Sequence, residues 1–228
     1  MDVEIWSDIA CPWCYVGKRR FEAALGAFEH RAHVSVTWRS FELDPEAPRE
    51  RDEDGATHLA QKYGTTRDAA LEMQRSMTDA AAGDGLDFRF DLLRSGNTFD
   101  AHRLLHLAAA HGVQDALKER FMRAYLTEGE AIGEPEALQR LAVEAGLPED
   151  DVHEVLVTER YAEEVRDEER TAAGLGIHAV PFFVVDRKFG ASGAQPPEAL
   201  RELLDRAWQE HSPLAVVAGG GVCGPDGC

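Results

Sequence analysis

No stretch of this chain stays apolar for the roughly 20 residues that a membrane-crossing helix needs. Basic side chains are also scarce. The 228 residues carry 24 Lys and Arg against 42 Asp and Glu, a formal net charge of −18. Such a field repels phosphate backbones and anionic lipid, which argues against nucleic acid and membrane as partners. Cysteine is sparse. Four residues, Cys11, Cys14, Cys223 and Cys228, are too few for a disulfide scaffold in a chain of this size. There is no glycine-rich phosphate loop, serine elbow, carboxylate pair or internal repeat. The opening MDVEIWSDIACPW has no basic n-region, and Asp2, Glu4 and Asp8 interrupt its apolar residues. It does not read as a signal peptide, so the expected location is cytoplasmic. In a reducing compartment, paired cysteines are more often catalytic, redox-sensing or metal-binding than structural.

What the chain does have is Cys11-Pro12-Trp13-Cys14, set between a strand-like and a helix-like run. Val3 to Ser7 alternate apolar and polar and are rich in strand formers. From Tyr15 onward, Phe21, Ala24, Leu25 and Phe28 mark one face of a helix. Cys11 is therefore expected in the turn and Cys14 in the first helical turn. Pro12 suits the first helical position, which needs no backbone donor. A sulfur there meets unpaired N–H groups and the positive end of the helix dipole, and both favour thiolate over thiol. By itself the pair is compatible with a redox centre, a zinc site or no function.

Along the chain, a second strand is expected over Val34 to Phe41. A strand–helix–strand unit implies a parallel pair with a right-handed crossover. Residues 45–55 form a charged, proline-marked loop. Helical patterns follow at Thr57–Tyr63, Arg67–Ala82, Asp100–Ala110, Gln114–Thr127, Pro135–Ala145, Asp150–Val157 and Glu159–Ala173. The dense charges of Glu159–Arg170 read as a solvated helix face. Strands return at Pro181–Val185 and, more weakly, Lys188–Ser192, before a final helix that opens at Gln195-Pro196-Pro197-Glu198. The glycine-rich tail from Pro213 ends CGPDGC. The β elements thus lie at the two ends and the helices in the middle, the pattern of one α/β domain with a helical insertion.

The strings SDIACPWCYVGKRR, NTFDAHRLLHLA and VPFFVVDRKFGASGAQPPEAL resemble thioredoxin-fold oxidoreductases of the DsbA type, and within them the FrnE-like branch. The resemblance spans Val3 to about Trp208. It implies an α/β, thioredoxin-like fold from residues 1–45 and 175–212. A central helical domain is inserted over 46–174, and the tail is 213–228. It implies thiol–disulfide oxidoreductase or isomerase activity on disulfide- or dithiol-bearing proteins or peptides. No cofactor is required, although glutathione or another thiol must reset the couple. Residue by residue, Cys11 matches the attacking nucleophile and Cys14 the resolving cysteine. Pro181 matches the cis-proline facing the dithiol, which presents the Val180 backbone to substrate. Pro12 and Trp13 complete the substrate-facing turn. Pro-Trp stands where the DsbA enzyme has Pro-His, and Trp13 cannot offer the charge of an imidazolium. The couple is therefore expected to be less oxidising.

Asp8, three residues before Cys11, reads either as a proton acceptor for Cys14 or as an exposed loop acid or cap. Cys223 and Cys228 read either as an auxiliary redox pair, brought together by turn formers and a flexible Gly219-Gly220-Gly221, or as an inert tail. The four thiolates would suit zinc, but Pro12 and the expected cis-proline over the sulfurs count against metal. His102 and His106 stand at i, i+4 without the glutamate of a zincin motif and read as packing or surface residues. Asn97-Thr98 reads as a helix cap. Trp6, Trp38, Phe182 and Phe183 read as core and Trp13 as partly exposed. One rival function is a glutathione-dependent isomerase or transferase of the kappa or 2-hydroxychromene-2-carboxylate isomerase type, which resembles the same fold with serine at the first motif position. Another is a holdase-like binding module built around Trp13.

Overall fold

The computed structural model describes residues 1–211. Strand β1 (Asp2–Ser7) leads through the motif into α1 (Pro12–Gly26), and β2 (Ser35–Ser40) follows. Helices α2 (Gly55–Tyr63), α3 (Arg67–Gly83), α4 (Phe99–Ala110), α5 (Gln114–Arg123), α6 (Pro135–Glu144), α7 (Glu149–Val157) and α8 (Ala162–Gly174) come next. Strands β3 (Phe182–Val185) and β4 (Phe189–Ser192) and helix α9 (Pro197–His211) close the described chain. The sheet order is β2-β1-β3-β4. β1 and β2 are parallel, and β3 and β4 are antiparallel to their neighbours.

Alternation along β1 assigns its two faces. Val3 and Ile5 join Phe21 and Ala24 of α1, Phe28 just beyond it, and Leu200, Leu204 and Ala207 of α9 in one core. Trp6 points the other way, into a core with Ala172, Ile177 and Val184. Both faces of β1 are covered, so its side chains from Val3 to Ser7 are all buried. A third core lies largely among α3–α7 and reaches Cys11, Cys14, Tyr15 and Val16. The motif turn therefore sits where the helical block meets the sheet.

Helix boundaries follow local chemistry. The Asp54 carboxylate accepts the Ala56 and Thr57 N–H groups and starts α2, and Gly64 ends it in the left-handed region at φ 60°. The pattern read as one helix from Gln114 to Thr127 divides into α5 and a π-helical turn, Ala124–Glu128. The expected start of α8 at Glu159 shifts to Ala162, because Tyr161 takes a left-handed conformation at φ 66°. The solvated reading of Glu159–Arg170 needs correction. Glu168 is buried, accepting the Ser40 N–H at 2.6 Å and pairing with Arg39 at 2.7 Å. The charges of α8 thus serve as its dock to β2 as well as its solvent face. Trp6, Trp38 and Phe183 are core and Phe182 is half-buried, while Trp13 is 46% exposed, as expected. Among the described residues, no helix is long and apolar enough to cross a membrane.

Candidate active site

Cys11 is the N-cap of α1 with an extended backbone, and Pro12 is the first helical residue. The Cys11 N–H donates to the Asp8 carbonyl at 3.3 Å, and the Cys14 N–H to the Cys11 carbonyl at 3.0 Å. These bonds wind Asp8–Cys14 into a tight turn, which carries the first sulfur to the helix mouth. The two sulfurs are unlinked thiols in different surroundings. Cys11 is 5% exposed and Cys14 not at all. Burial, with Cys11 beside it, pushes the Cys14 thiol well above its ordinary pKa. The helix turn therefore presents one sulfur near the surface and holds a protonated one behind it.

Across from the turn, the Val180–Pro181 peptide is cis. The Cys11 thiol donates to the Val180 carbonyl at 3.7 Å, so residues 169 positions apart face each other. The Pro181 carbonyl accepts the Gly193 N–H at 2.8 Å, which ties this loop to the end of β4. Gly17 lets α1 approach the loop, since a Cβ there would lie 2.8 Å from the Pro181 ring.

Beneath the turn lies a buried polar group. Asp8 is 1% exposed, which overturns its reading as an exposed loop acid. Its Oδ2 accepts the Leu43 N–H at 2.8 Å, and its Oδ1 faces Ala10 N at 3.3 Å and His102 Nε2 at 3.4 Å. Burial alone would raise its pKa. His102, the Leu43 N–H and the Lys118 charge outweigh burial and hold the carboxyl below its ordinary range. Asp8 is thus a buried carboxylate. Lys118 is fully buried and donates to the Ser7 carbonyl at 3.2 Å. Burial lowers its pKa to about 8, against the charges of Cys14 and Asp8.

His102 is buried in this group and is not a surface residue, while His106 faces Glu168 at 3.3 Å and Ser40 Oγ at 3.3 Å. Asn97 Oδ1 accepts the Phe99 N–H at 2.8 Å, so Asn97 supplies the turn before α4, whereas Thr98 makes no side-chain cap. Lys118 escaped the sequence reading. Its signal was a cation on the apolar stripe of Leu117, Phe121 and Met122, a position where a solvated lysine does not belong. Among the described residues, no cluster of three or more His, Cys, Asp or Glu could hold a metal. Cys223 and Cys228 lie outside the described residues.

A thioredoxin-type sheet interrupted by helices, with a dithiol at a helix mouth facing a cis-proline loop, defines a class. The chain belongs to the DSBA-like thioredoxin domain family, whose model matches residues 2–205. Its relatives narrow the comparison. A crystal structure of a probable DsbA oxidoreductase from Streptomyces coelicolor is 48% identical, with TM-score 0.89, covering 100% of this chain and 98% of that one. The Bacillus subtilis protein YwbO is 27% identical over 185 residues, 80% of this chain and 86% of its own length. The cytosolic disulfide reductase DsbM from Pseudomonas aeruginosa, solved with glutathione, shares the fold at 18% identity and TM-score 0.65, covering 92% of this chain and all of that one.

Proposed function

We propose that this chain is a thiol–disulfide oxidoreductase or isomerase working by dithiol–disulfide exchange through Cys11 and Cys14. The observation that carries this reading is the placement of the Cys11 sulfur at the mouth of α1, against the Val180 carbonyl, with Cys14 buried behind it. The Cys11 thiolate attacks a substrate disulfide, and one substrate sulfur leaves as thiolate. Substrate backbone meets the Val180-Pro181 loop, and Pro12 and Trp13 form the opposite wall. Cys14 then gives up its proton, bonds to the Cys11 sulfur and releases the reduced substrate. The reverse sequence oxidises a dithiol, and return of the mixed disulfide to another substrate sulfur isomerises it.

Asp8 takes the Cys14 proton in this scheme, with Lys118 supplying positive charge beside the developing thiolate. Its support is that the buried Lys118 ammonium feels the charges of both the Cys14 sulfur and the buried Asp8 carboxylate, and that the Asp8 backbone hydrogen-bonds toward Cys14. No cofactor enters, and glutathione or a similar small thiol resets the couple. Peptides and proteins bearing disulfides are the substrate class, and a cytoplasmic site of action fits a reducing cycle. The FrnE-like strings support that branch within the family. Cys11 and Cys14 together favour dithiol exchange over the single-hydroxyl chemistry of the isomerase-like and transferase-like proteins of this fold. The test is insulin reduction in the presence of glutathione. Cys11→Ser is expected to abolish it, and full activity in that variant would refute the assignment.

A further inference from the structure

Beside the motif turn is a cavity of about 260 Å³. Asp8, Ala10, Pro12 and Trp13 are among its lining residues, so it borders the motif turn on the side of the two residues between the cysteines. Its size is just below the usual ~300–1,000 Å³ of small-molecule sites. Leu59, Met77, Phe90, Leu93 and Tyr125 make its body apolar. Four of the large apolar side chains that remain exposed, Trp13, Leu43, Tyr63 and Met73, also line it. Apolar surface left open in this concentration marks a binding site.

The charge lining this cavity is balanced, Asp8 and Asp44 against Arg51 and Lys62, where the chain as a whole is strongly acidic. In a chain of net charge −18, Arg51, His58 and Lys62 all line it. Arg51 pairs with Asp44, and His58 faces Glu53 at 3.0 Å. The other lining acid, Asp8, is turned to Leu43 and His102. The Lys62 ammonium, in the last turn of α2, has no hydrogen-bond or ion-pair partner among the described residues. The cavity thus joins an apolar body, one unpaired cation and a reactive dithiol turn.

We propose that this cavity is a substrate site for small organic disulfides that carry a carboxylate on an aromatic or branched apolar body. This rests on the dithiol reading above and names a substrate class for it. The apolar body fills the cavity, the carboxylate meets Lys62, and the disulfide reaches the turn at Cys11. The Cys11 thiolate bonds to one substrate sulfur, and the other leaves as a thiolate that takes up a proton. Cys14 loses its proton, bonds to Cys11 and expels the second thiolate, which is protonated in turn. The substrate gains two electrons, the dithiol becomes a disulfide, and a small thiol such as glutathione restores it.

The test compares steady-state reduction of an anionic bis(carboxy-nitrophenyl) disulfide, neutral dipyridyl disulfide, cationic cystamine and insulin. Lys62 is replaced in a charge series. Lys62→Arg is expected to keep the KM for the anionic probe. Lys62→Gln is expected to raise it about three- to fivefold, the scale of an exposed ion pair, and Lys62→Glu further. The KM for dipyridyl disulfide and the kcat for all the probes are expected to stay unchanged. Lys188→Gln, on the β3–β4 turn outside the cavity lining, is expected to shift nothing. Binding of naphthoate to the Cys11→Ser, Cys14→Ser variant is read separately by tryptophan quenching, and Lys62→Glu is expected to weaken it. Insulin reduction without small-disulfide reduction, or no order in the charge series, overturns the cavity proposal and leaves the dithiol reading intact. Turnover of none of the four substrates overturns the dithiol reading, and naphthoate binding then decides the cavity alone.

Discussion

Cys11 and Cys14 share one turn, yet their surroundings differ in the way the proposed exchange requires. Cys14 is fully buried and its pKa is raised, so it is held as a thiol, and the proposed cycle needs a base to take its proton. Cys14→Ser should therefore leave the first attack intact and halt the cycle at the mixed disulfide. Mass spectrometry of that variant with a disulfide peptide should show a covalent adduct at Cys11. An adduct no more abundant than in the native protein would show that Cys14 does not resolve it. Asp8→Asn should slow the resolving step by about 100-fold, the lower end of what a positioned base contributes. Because Asp8 is held ionised, the native rate should stay flat as pH falls until that carboxylate protonates, whereas the variant should depend on hydroxide and rise with pH. Rapid-mixing measurement of thiol release across that range gives the comparison, and superimposable profiles would exclude Asp8 as the acceptor. The dithiol could be read in sequence because its four residues are adjacent and sit at a strand-to-helix junction. The Asp8–His102 contact could not, because 94 positions separate the partners and only the fold joins them. His102 on its own looks like any histidine on a half-apolar helix.

Elements were more legible than the contacts between them. Alternation marked β1 and β2, an apolar run of strand formers marked β3 and a weaker signal β4, and the 3.6-residue apolar period marked the helices, because the segments bury apolar faces against a core. The π-helical turn after α5 and the left-handed Tyr161 left no such periodic trace. The register of elements is held by close approaches that only glycine allows. A Cβ on Gly133 would lie 1.9 Å from the Arg49 carbonyl oxygen, and one on Gly96 the same distance from that oxygen. The strap at 48–51 is clamped there, since Arg51 N–H donates to the Ser95 carbonyl at 2.8 Å and Asn97 N–H to the Pro48 carbonyl at 2.9 Å. Gly133→Ala should displace the strap and cost about 1–3 kcal/mol, the range for overpacking, measured by urea unfolding. Gly17→Ala meets the Pro181 ring instead. It should reduce turnover more than stability, because the loop it pushes faces Cys11. Equal kcat/KM for Gly17→Ala and native protein would show that this spacing is not used. At the outer edge of the sheet, the Gln114 side chain accepts the Trp38 N–H at 3.0 Å and donates to its carbonyl at 2.9 Å. It thereby occupies an edge that would otherwise pair with another chain.

At the scale of the whole molecule, three buried ionisable groups set opposing slopes of stability against pH. Burial would raise Glu168, but His106, Arg39 and the Ser40 N–H bring it down to about 2 from an ordinary 4.5. The unfolded chain then binds more protons between those values, so this contribution is complete above pH 4.5 and lost as pH falls toward 2. Glu42 behaves in the opposite way. Burial raises it to about 7, which the Arg166 pair at 2.5 Å only partly offsets. Between 4.5 and 7 the folded chain binds the extra proton, so stability falls as pH rises through that window. Lys118, lowered to about 8 from 10.5 by burial, makes stability rise with pH between those values. The excess of 42 acidic over 24 basic groups adds repulsion as carboxylates ionise. Thermal stability should therefore peak near pH 5 and decline toward neutrality. With about 2–4 °C in Tm per kcal/mol for a chain of this size, the decline should amount to several degrees. Glu42→Gln removes the group that holds the extra proton and leaves Glu168 in place. It should flatten the fall between pH 5 and 7.5 while keeping the acid limb below 4.5 unchanged. A calorimetric series on both proteins decides this. If the Glu42→Gln variant loses as many degrees as the native chain over that interval, the buried proton at Glu42 is not what tilts the curve. The slope would then belong to the diffuse surface charge, and added salt, which screens exposed charges far more than buried ones, should abolish it.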